Sequence, residues 1–530
     1  MKDFQKEEFD SDRPAQGVFA GFTLVLVLLW LGPALYLWCG GPMNFRPPVR
    51  MIFLAVAVLL AVYLLAGFLL ARKAQIPFRK MFGRGVQILW GCVAAVYLIS
   101  LGMAFAACAR ADRVVRDLEK HFAKPFSAQG LKTFYTNGRK IDTAFWDKLE
   151  KTTVSVGKGW EKFESRGLIS SSPEGVYPPE LLKKFGALME RSEALRELEK
   201  MFDRPLPARD IDYKDCALAG VLLPELNMIR EFCRWELWRV RFAVEKNDLP
   251  GALSALKRMK NASDYLVDKP STLIASLVMI ACENYRMQAL EVLLAGGNVP
   301  EPVLKQWQNE LEQDDRKVPQ INFDSLYPEA TMAHDVCLAI DRGRGEDVYG
   351  LSTAQFYRLR WLFPPVWYRF ARCSEDLMRR FRVREFGAMP KMDRHNDLLM
   401  GLCGNDFPVL TQQKFNQLSA RYRAMRALIG VELEKRKSGK YPDKLENPPV
   451  DPFTGKPMIY KKGAIAVSEP VWNAKKKSFD SNTVRSAEGI AIWSLGANGK
   501  DDQGLNAYGG GPKGSDDIRA KVIFKKGDRD

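Results

Sequence analysis

Three long stretches of this chain carry no charged side chain, and such stretches have no comfortable home except lipid. They cover residues 17–39, 51–71 and 85–109. Each is about 20 residues or longer, enough to cross roughly 30 Å of hydrocarbon as a helix. Lipid offers no partner for free backbone groups, so a helix is required there. The sequence therefore predicts a mainly α membrane protein. A tail (1–16) leads into three transmembrane helices within 17–109. A helical soluble domain (110–405) follows, then a small α+β module (406–530) of one long helix and short antiparallel strands. Trp30, Tyr36, Trp38, Tyr63, Trp90 and Tyr97 suit span ends or packing between spans. A cleaved signal peptide is the rival for the first stretch. The long acidic leader and the lack of a small-residue cleavage pattern argue against it.

Orientation follows from the short loops. The 72–84 loop carries Arg72, Lys73, Arg79, Lys80 and Arg84, and the tail adds Lys2, Lys6 and Arg13. The 40–50 loop has only Arg46 and Arg50. Basic short loops stay cytoplasmic. Three crossings then place everything after Ala109 outside the cytoplasm, although Arg110, Arg113 and Arg116 pull the other way. The expectation is a multi-pass protein of the bacterial inner membrane with a large periplasmic part.

The formal charge is +16, and 47% of the 530 residues are hydrophobic, enough for packed cores. Of the 79 basic and 63 acidic residues, ten and five precede Arg110, which leaves +11 on the remainder. Such a surface favours anionic partners. The nine cysteines include no CxxC pair, so neither a zinc ribbon nor a disulfide framework is indicated. One or two disulfides stay open for an exported domain. With only three histidines, a histidine-rich metal site is disfavoured.

Residues 110 to about 437 read as helix. Met228, Phe232, Trp235, Trp238, Val240 and Phe242 recur at helical spacing, and Asn247-Asp248-Leu249-Pro250 breaks the run. Ser271 is the expected cap of the next helix, Gly296-Gly297 its stop, and another helix starts near Pro300. No repeated signature supports a helical array. Residues 356–386 hold eight arginines among nine aromatic residues. In a tethered chain that composition suits contact with anionic lipid more than nucleic acid, and no nucleic-acid partner is expected. An ordinary helix pair broken at Pro364-Pro365 is the plainer reading.

The C-terminal module has the densest motifs. A helix from about Thr411 to Lys437 ends at Gly439, before Lys440-Tyr441-Pro442. Asp451-Pro452-Phe453-Thr454-Gly455-Lys456-Pro457 then marks a turn. Strands are expected at 458–461, 464–468 and 489–494. Ser494-Leu495-Gly496-Ala497-Asn498-Gly499-Lys500-Asp501-Asp502 forms a glycine-rich loop, and Ser515-Asp516-Asp517-Ile518 comes late.

These residues resemble the C-terminal half of the major pseudopilin of type II secretion, over about 100 of the 530 residues. That family has a helix, G-x-Y-P, D-P-W/F-G-x-P, and a strand into S-L-G-A-D-G. The resemblance implies a calcium site. By position, Leu495 would give a backbone carbonyl, Asn498 a side-chain oxygen, and Asp516 and Asp517 carboxylates. Asp501 and Asp502 are further candidates. Asn498 stands where the family commonly has Asp, which removes a charge. Calcium takes six to eight oxygens from a flexible loop, and the glycines here allow one. The alternative is an acidic glycine-rich loop with no ion. Gly21-Phe22-Thr23-Leu24 is similar to a pilin processing site, but Leu26 stands where that family has Glu. Two further apolar stretches also intervene, so the chain is not itself a pseudopilin. As a whole it resembles large multi-span membrane proteins of planctomycete-type bacteria.

No GxSxG, HExxH, Walker loop or Rossmann glycine set occurs, so no enzyme is expected. Three functions stay open. One is a membrane-anchored structural or interaction protein with a protein partner and a calcium-stabilised end. The second is an accessory component of a secretion or pilus-like system. The third is an enzyme with an unrecognised site.

Overall fold

A computed structural model describes residues 84–136, 138–164, 189–214, 223–267, 272–296, 299–341, 407–468, 471–473, 478–480, 484–505 and 516–524, with single positions 183, 186, 187 and 218. The apolar stretches 17–39 and 51–71 and the arginine-aromatic segment 356–386 lie outside the described residues. The chain divides into two compact units, residues 1–126, 215–219 and 332–407, and residues 127–214, 220–331 and 408–530.

In the first unit, helix α1 (Arg84–Phe122) corrects the expected third span. Among the described residues, no helix is long and apolar enough to cross a membrane. The stretch 85–109 is only the first part of α1, which continues unbroken through Arg110, Asp112, Arg113, Arg116 and Asp117. Burial along it is one-sided. Ser100, Ala104, Ala107, Val114, Leu118 and Phe122 are buried at steps of three, four and seven, while Leu98, Ile99 and Phe105 are exposed. That stripe is how a helix meets protein, and it runs through the charged part as well as the apolar part. The expected orientation counted three crossings, and the first two of those stretches lie outside the described residues. Asp335 also belongs to this unit; buried, it accepts from the Leu218 N–H at 2.9 Å.

The second unit is mainly helical. α2 (Ala128–Thr136), α3 (Thr143–Glu164) and α4 (Glu193–Phe202) precede a set of longer helices. These are α5 (Pro224–Glu245), α6 (Leu249–Val267) and α7 (Leu273–Gly296), each packed on the other two. Local chemistry sets their ends. Ser192 caps α4 by accepting from the Leu195 N–H at 3.2 Å, and Asp248 caps α6 through the Gly251 N–H at 3.0 Å. Such caps satisfy donors that the first helical turn leaves open. The break between α5 and α6 falls at the expected place, with Asn247 at φ 56°. α7 stops at Gly296. Its cap, however, is Thr272 rather than Ser271: the Thr272 hydroxyl accepts from the Ala275 N–H at 3.1 Å. α8 (Glu301–Asp341) begins after Pro300 and contains Pro319 and Pro328; its residues through Thr331 belong to this unit and those from Met332 to the first.

Helix α9 (Phe407–Ser438) buries Phe415, Leu418, Tyr422, Met425, Leu428 and Ile429. It ends at Gly439 (φ 80°), whose N–H returns to the Lys435 carbonyl at 2.7 Å. The left-handed conformation there favours glycine. Strands β1 (Ile459–Ser468), β4 (Val484–Ser494) and β5 (Ile518–Ile523) form an antiparallel sheet in the order β1-β4-β5. β2 (Val471–Asn473) and β3 (Ser478–Asp480) form a separate pair. Two expected strands are one, because β1 stays paired with β4 through Gly463 (Gly463 opposite Gly489). Ile465, Val467, Ala491 and Trp493 make the sheet core.

α9 is tied on both sides within this unit. Arg423 Nε reaches Asp315 Oδ2 at 2.9 Å, and Asn322 donates to Gln412 at 2.6 Å, both on the α8 side. On the sheet side, Arg421 donates to the Arg519 carbonyl at 2.7 Å.

Candidate metal centre

The loop after β4 is held from beneath by one buried carboxylate. Asp451 is 1% exposed. Its Oδ1 accepts from the Phe453 N–H at 2.9 Å and the Ser494 hydroxyl at 2.8 Å. Its Oδ2 accepts from the Thr454 hydroxyl and the Leu495 N–H, both at 3.1 Å. A carboxylate can accept about four hydrogen bonds, and Asp451 is saturated. Thus the D-P-F-T-G turn is fastened to Ser494-Leu495 some forty residues away. Ser494 Oγ also accepts from the Gly496 N–H at 3.1 Å. Gly496 has φ 63°, and a Cβ there would lie 2.0 Å from the Asp516 carbonyl oxygen. Only glycine lets the two arms approach this closely.

On that base the structure brings Asn498, Asp501, Asp502, Asp516 and Asp517 into one hydrogen-bonded loop cluster. Asp516 Oδ2 accepts from the Ala497 N–H at 2.8 Å. Asp502 Oδ2 accepts from Asn498 Nδ2 and the Asp516 N–H, each at 2.9 Å. Asp517 Oδ2 accepts from the Asp502 and Gly504 N–H groups, each at 2.8 Å. Asp501 Oδ1 accepts from the Gln503 N–H at 2.9 Å and the Trp493 indole at 3.1 Å. All four aspartates thus spend one oxygen on holding the loop. The other oxygen of each makes no hydrogen bond among the described residues. Leu495 is half-buried, with its N–H committed to Asp451.

Asp517 is the unusual member. It is 1% exposed, and its Oδ1 is buried without a hydrogen-bond partner. Burial pushes its carboxyl up to about 7, against the bonds from Gly504 and Asp502, with the negative Asp502 and Asp501 adding to the rise. A buried carboxylate oxygen with no partner and acidic neighbours is electrostatically incomplete. An oxygen-only donor set of this kind matches a hard cation. Yet no three of the Asp, Glu, His or Cys groups among the described residues stand close enough to hold a metal ion. An ion here would rest on two carboxylates, with backbone carbonyls and water completing the shell.

Sequence reasoning missed Asp451 as a site residue; its place in the D-P-F-T-G turn was the available signal. It also left β5 unassigned, although β5 is what carries Asp517 to the loop, its N–H bonding the Leu505 carbonyl at 3.0 Å. Compared with protein-family models, with curated proteins and with solved structures, the chain matches none.

Proposed function

We propose that this chain is a structural or interaction protein whose C-terminal module is stiffened by a divalent cation, calcium by preference. Asp517 Oδ1 and a carboxylate oxygen of Asp502 would be the anchoring ligands. Asp501, Asp516, Asn498 and the Leu495 carbonyl are the remaining oxygen donors of the loop. The supporting observation is the buried, partnerless Asp517 Oδ1 among acidic neighbours. A divalent ion would supply the opposite charge that this oxygen lacks, and would join the segment after Ser494 to the segment before β5. Stiffening one end of a helical protein suits a contact surface for a partner protein.

Thermal unfolding of the full chain in millimolar calcium and in EDTA tests this, because a ligand that binds only the folded form raises the midpoint. The pH dependence sharpens the test. Asp517 has its folded value raised to about 7, above the usual carboxylate range near 4. Its contribution is therefore intact below about pH 4 and is lost as pH rises through about 7. Without metal, the loss by about pH 8 is at most about 4 kcal/mol. The calcium shift is thus expected to be largest at about pH 8 and to fade towards pH 5. Asp517→Asn is expected to abolish the shift and to raise the metal-free midpoint at about pH 8. Equal midpoints in calcium and EDTA at that pH would sink the proposal.

A further inference from the structure

α6, α7 and the start of α8 enclose a cleft of about 270 Å³, far from the acidic loop in sequence. At about 30 Å³ per water-sized unit, it admits roughly ten non-hydrogen atoms. Leu253, Val303 and Trp307 give it apolar walls, and Lys257, Lys260 and Arg286 line it as well.

The polar groups there are not evenly committed. Arg286 is 5% exposed. Its Nε donates to Glu283 at 2.8 Å and its Nη2 to Asp314 at 2.7 Å. Its Nη1 has no partner among the described residues and, unlike the buried orphan atoms, keeps some accessible surface. Lys260 is engaged by Asp264 and by Asp314, the latter at 3.4 Å. Lys257 has no ion pair among the described residues. The Trp307 indole N–H, on a ring 8% exposed, likewise donates to none of them. The acidic group on the rim, Glu310, accepts from Gln306 at 2.7 Å. Among the described residues, the lining leaves three N–H donors unused, on Arg286, Lys257 and Trp307, and three oxygens, one each on Glu310, Asn261 and Gln306; the two cationic donors mark the Arg286–Lys257 side as the end for an acceptor.

We infer that this cleft binds a small monocarboxylate with an aromatic or branched hydrocarbon body. The carboxylate would sit on Arg286 Nη1 and Lys257, with the body against Trp307, Val303 and Leu253. Donors facing an apolar cavity select a ligand with acceptors at one end and hydrocarbon at the other. A single charge suits the site better than a phosphate dianion. Glu283 and Asp314 already neutralise the guanidinium from behind, which leaves little net positive charge to hold a second negative one.

Calorimetric titration of the full chain with phenylacetate tests the inference, with phenylacetamide as the neutral isostere and inorganic phosphate as the compact anion. Saturable phenylacetate binding is expected, with Kd between about 0.1 and 1 mM. Phenylacetamide and phosphate should bind at least about tenfold more weakly. Lys257→Glu is a surface change, so its fold can be verified by an unchanged melting curve. It is expected to weaken phenylacetate by about tenfold or more. Val303→Trp fills the cleft and should abolish binding. No saturation up to about 10 mM would overturn the inference. So would phenylacetamide or phosphate binding as tightly as phenylacetate, or unchanged affinity in the folded Lys257→Glu protein.

Discussion

Asp451→Ala is expected to destabilise the protein by about 4 kcal/mol in chemical denaturation, the larger part of the stability an ordinary domain has. The substitution removes one carboxylate but strands four donors: the N–H groups of Phe453 and Leu495 and the hydroxyls of Thr454 and Ser494. A buried donor left without a partner costs about 1–3 kcal/mol. Ser494 is fully buried, whereas the Thr454 and Phe453 ends of the turn are more open, so the sum falls below the maximum. Asp451→Asn keeps one acceptor oxygen and is expected to cost about half as much. Because Leu495 is fastened to Asp451, both variants are also expected to weaken any calcium shift. A loss below about 1 kcal/mol for Asp451→Ala would mean that the turn and the loop are held by something else.

Arg286→Met is the second large effect, expected at about 4 kcal/mol. Arg286 on α7 bridges Glu283 and Asp314, and it lies over the Tyr422 ring of α9 at 6.0 Å. Burial alone would raise the Glu283 carboxyl, but Arg286 and Lys260 outweigh it and hold it below its ordinary value. In the native protein Glu283 therefore adds stability that is present at neutral pH and lost as pH falls through its depressed folded value. Without Arg286, two buried carboxylates share Lys260. Removing one partner of a buried network leaves uncompensated charge, the costly case. The triple variant Arg286→Met, Glu283→Gln, Asp314→Asn removes that charge as well. It is expected to regain at least half of the loss. Denaturation midpoints of the single and triple variants decide this. A triple variant as unstable as the single one would show that packing, not charge, dominates the site.

Several features were legible in the residues because their causes lie within a few positions. The α5–α6 break at Asn247-Asp248, the stop of α7 at Gly296 and the end of α9 at Gly439 all follow from turn and cap chemistry. The loop 494–502 and Asp516-Asp517 stood out as a glycine-rich acidic group, and the fold does bring them together. Thr272 instead of Ser271 as the α7 cap is a one-residue error of the kind local patterns allow.

What the residues alone determined was periodicity and punctuation: which segments are helical, where they stop, and which turn residues precede the sheet. What the tertiary structure decided was the partner of each group. The stretch 85–109 is apolar read by itself, and only the structure shows it continuing as one helix into the charged residues 110–117. Asp451 finds donors 43 and 44 residues away, and Arg286 finds Asp314 28 residues away. Backbone propensity acts over a turn or two of chain. Burial and charge pairing act through space, between segments that sequence order keeps apart.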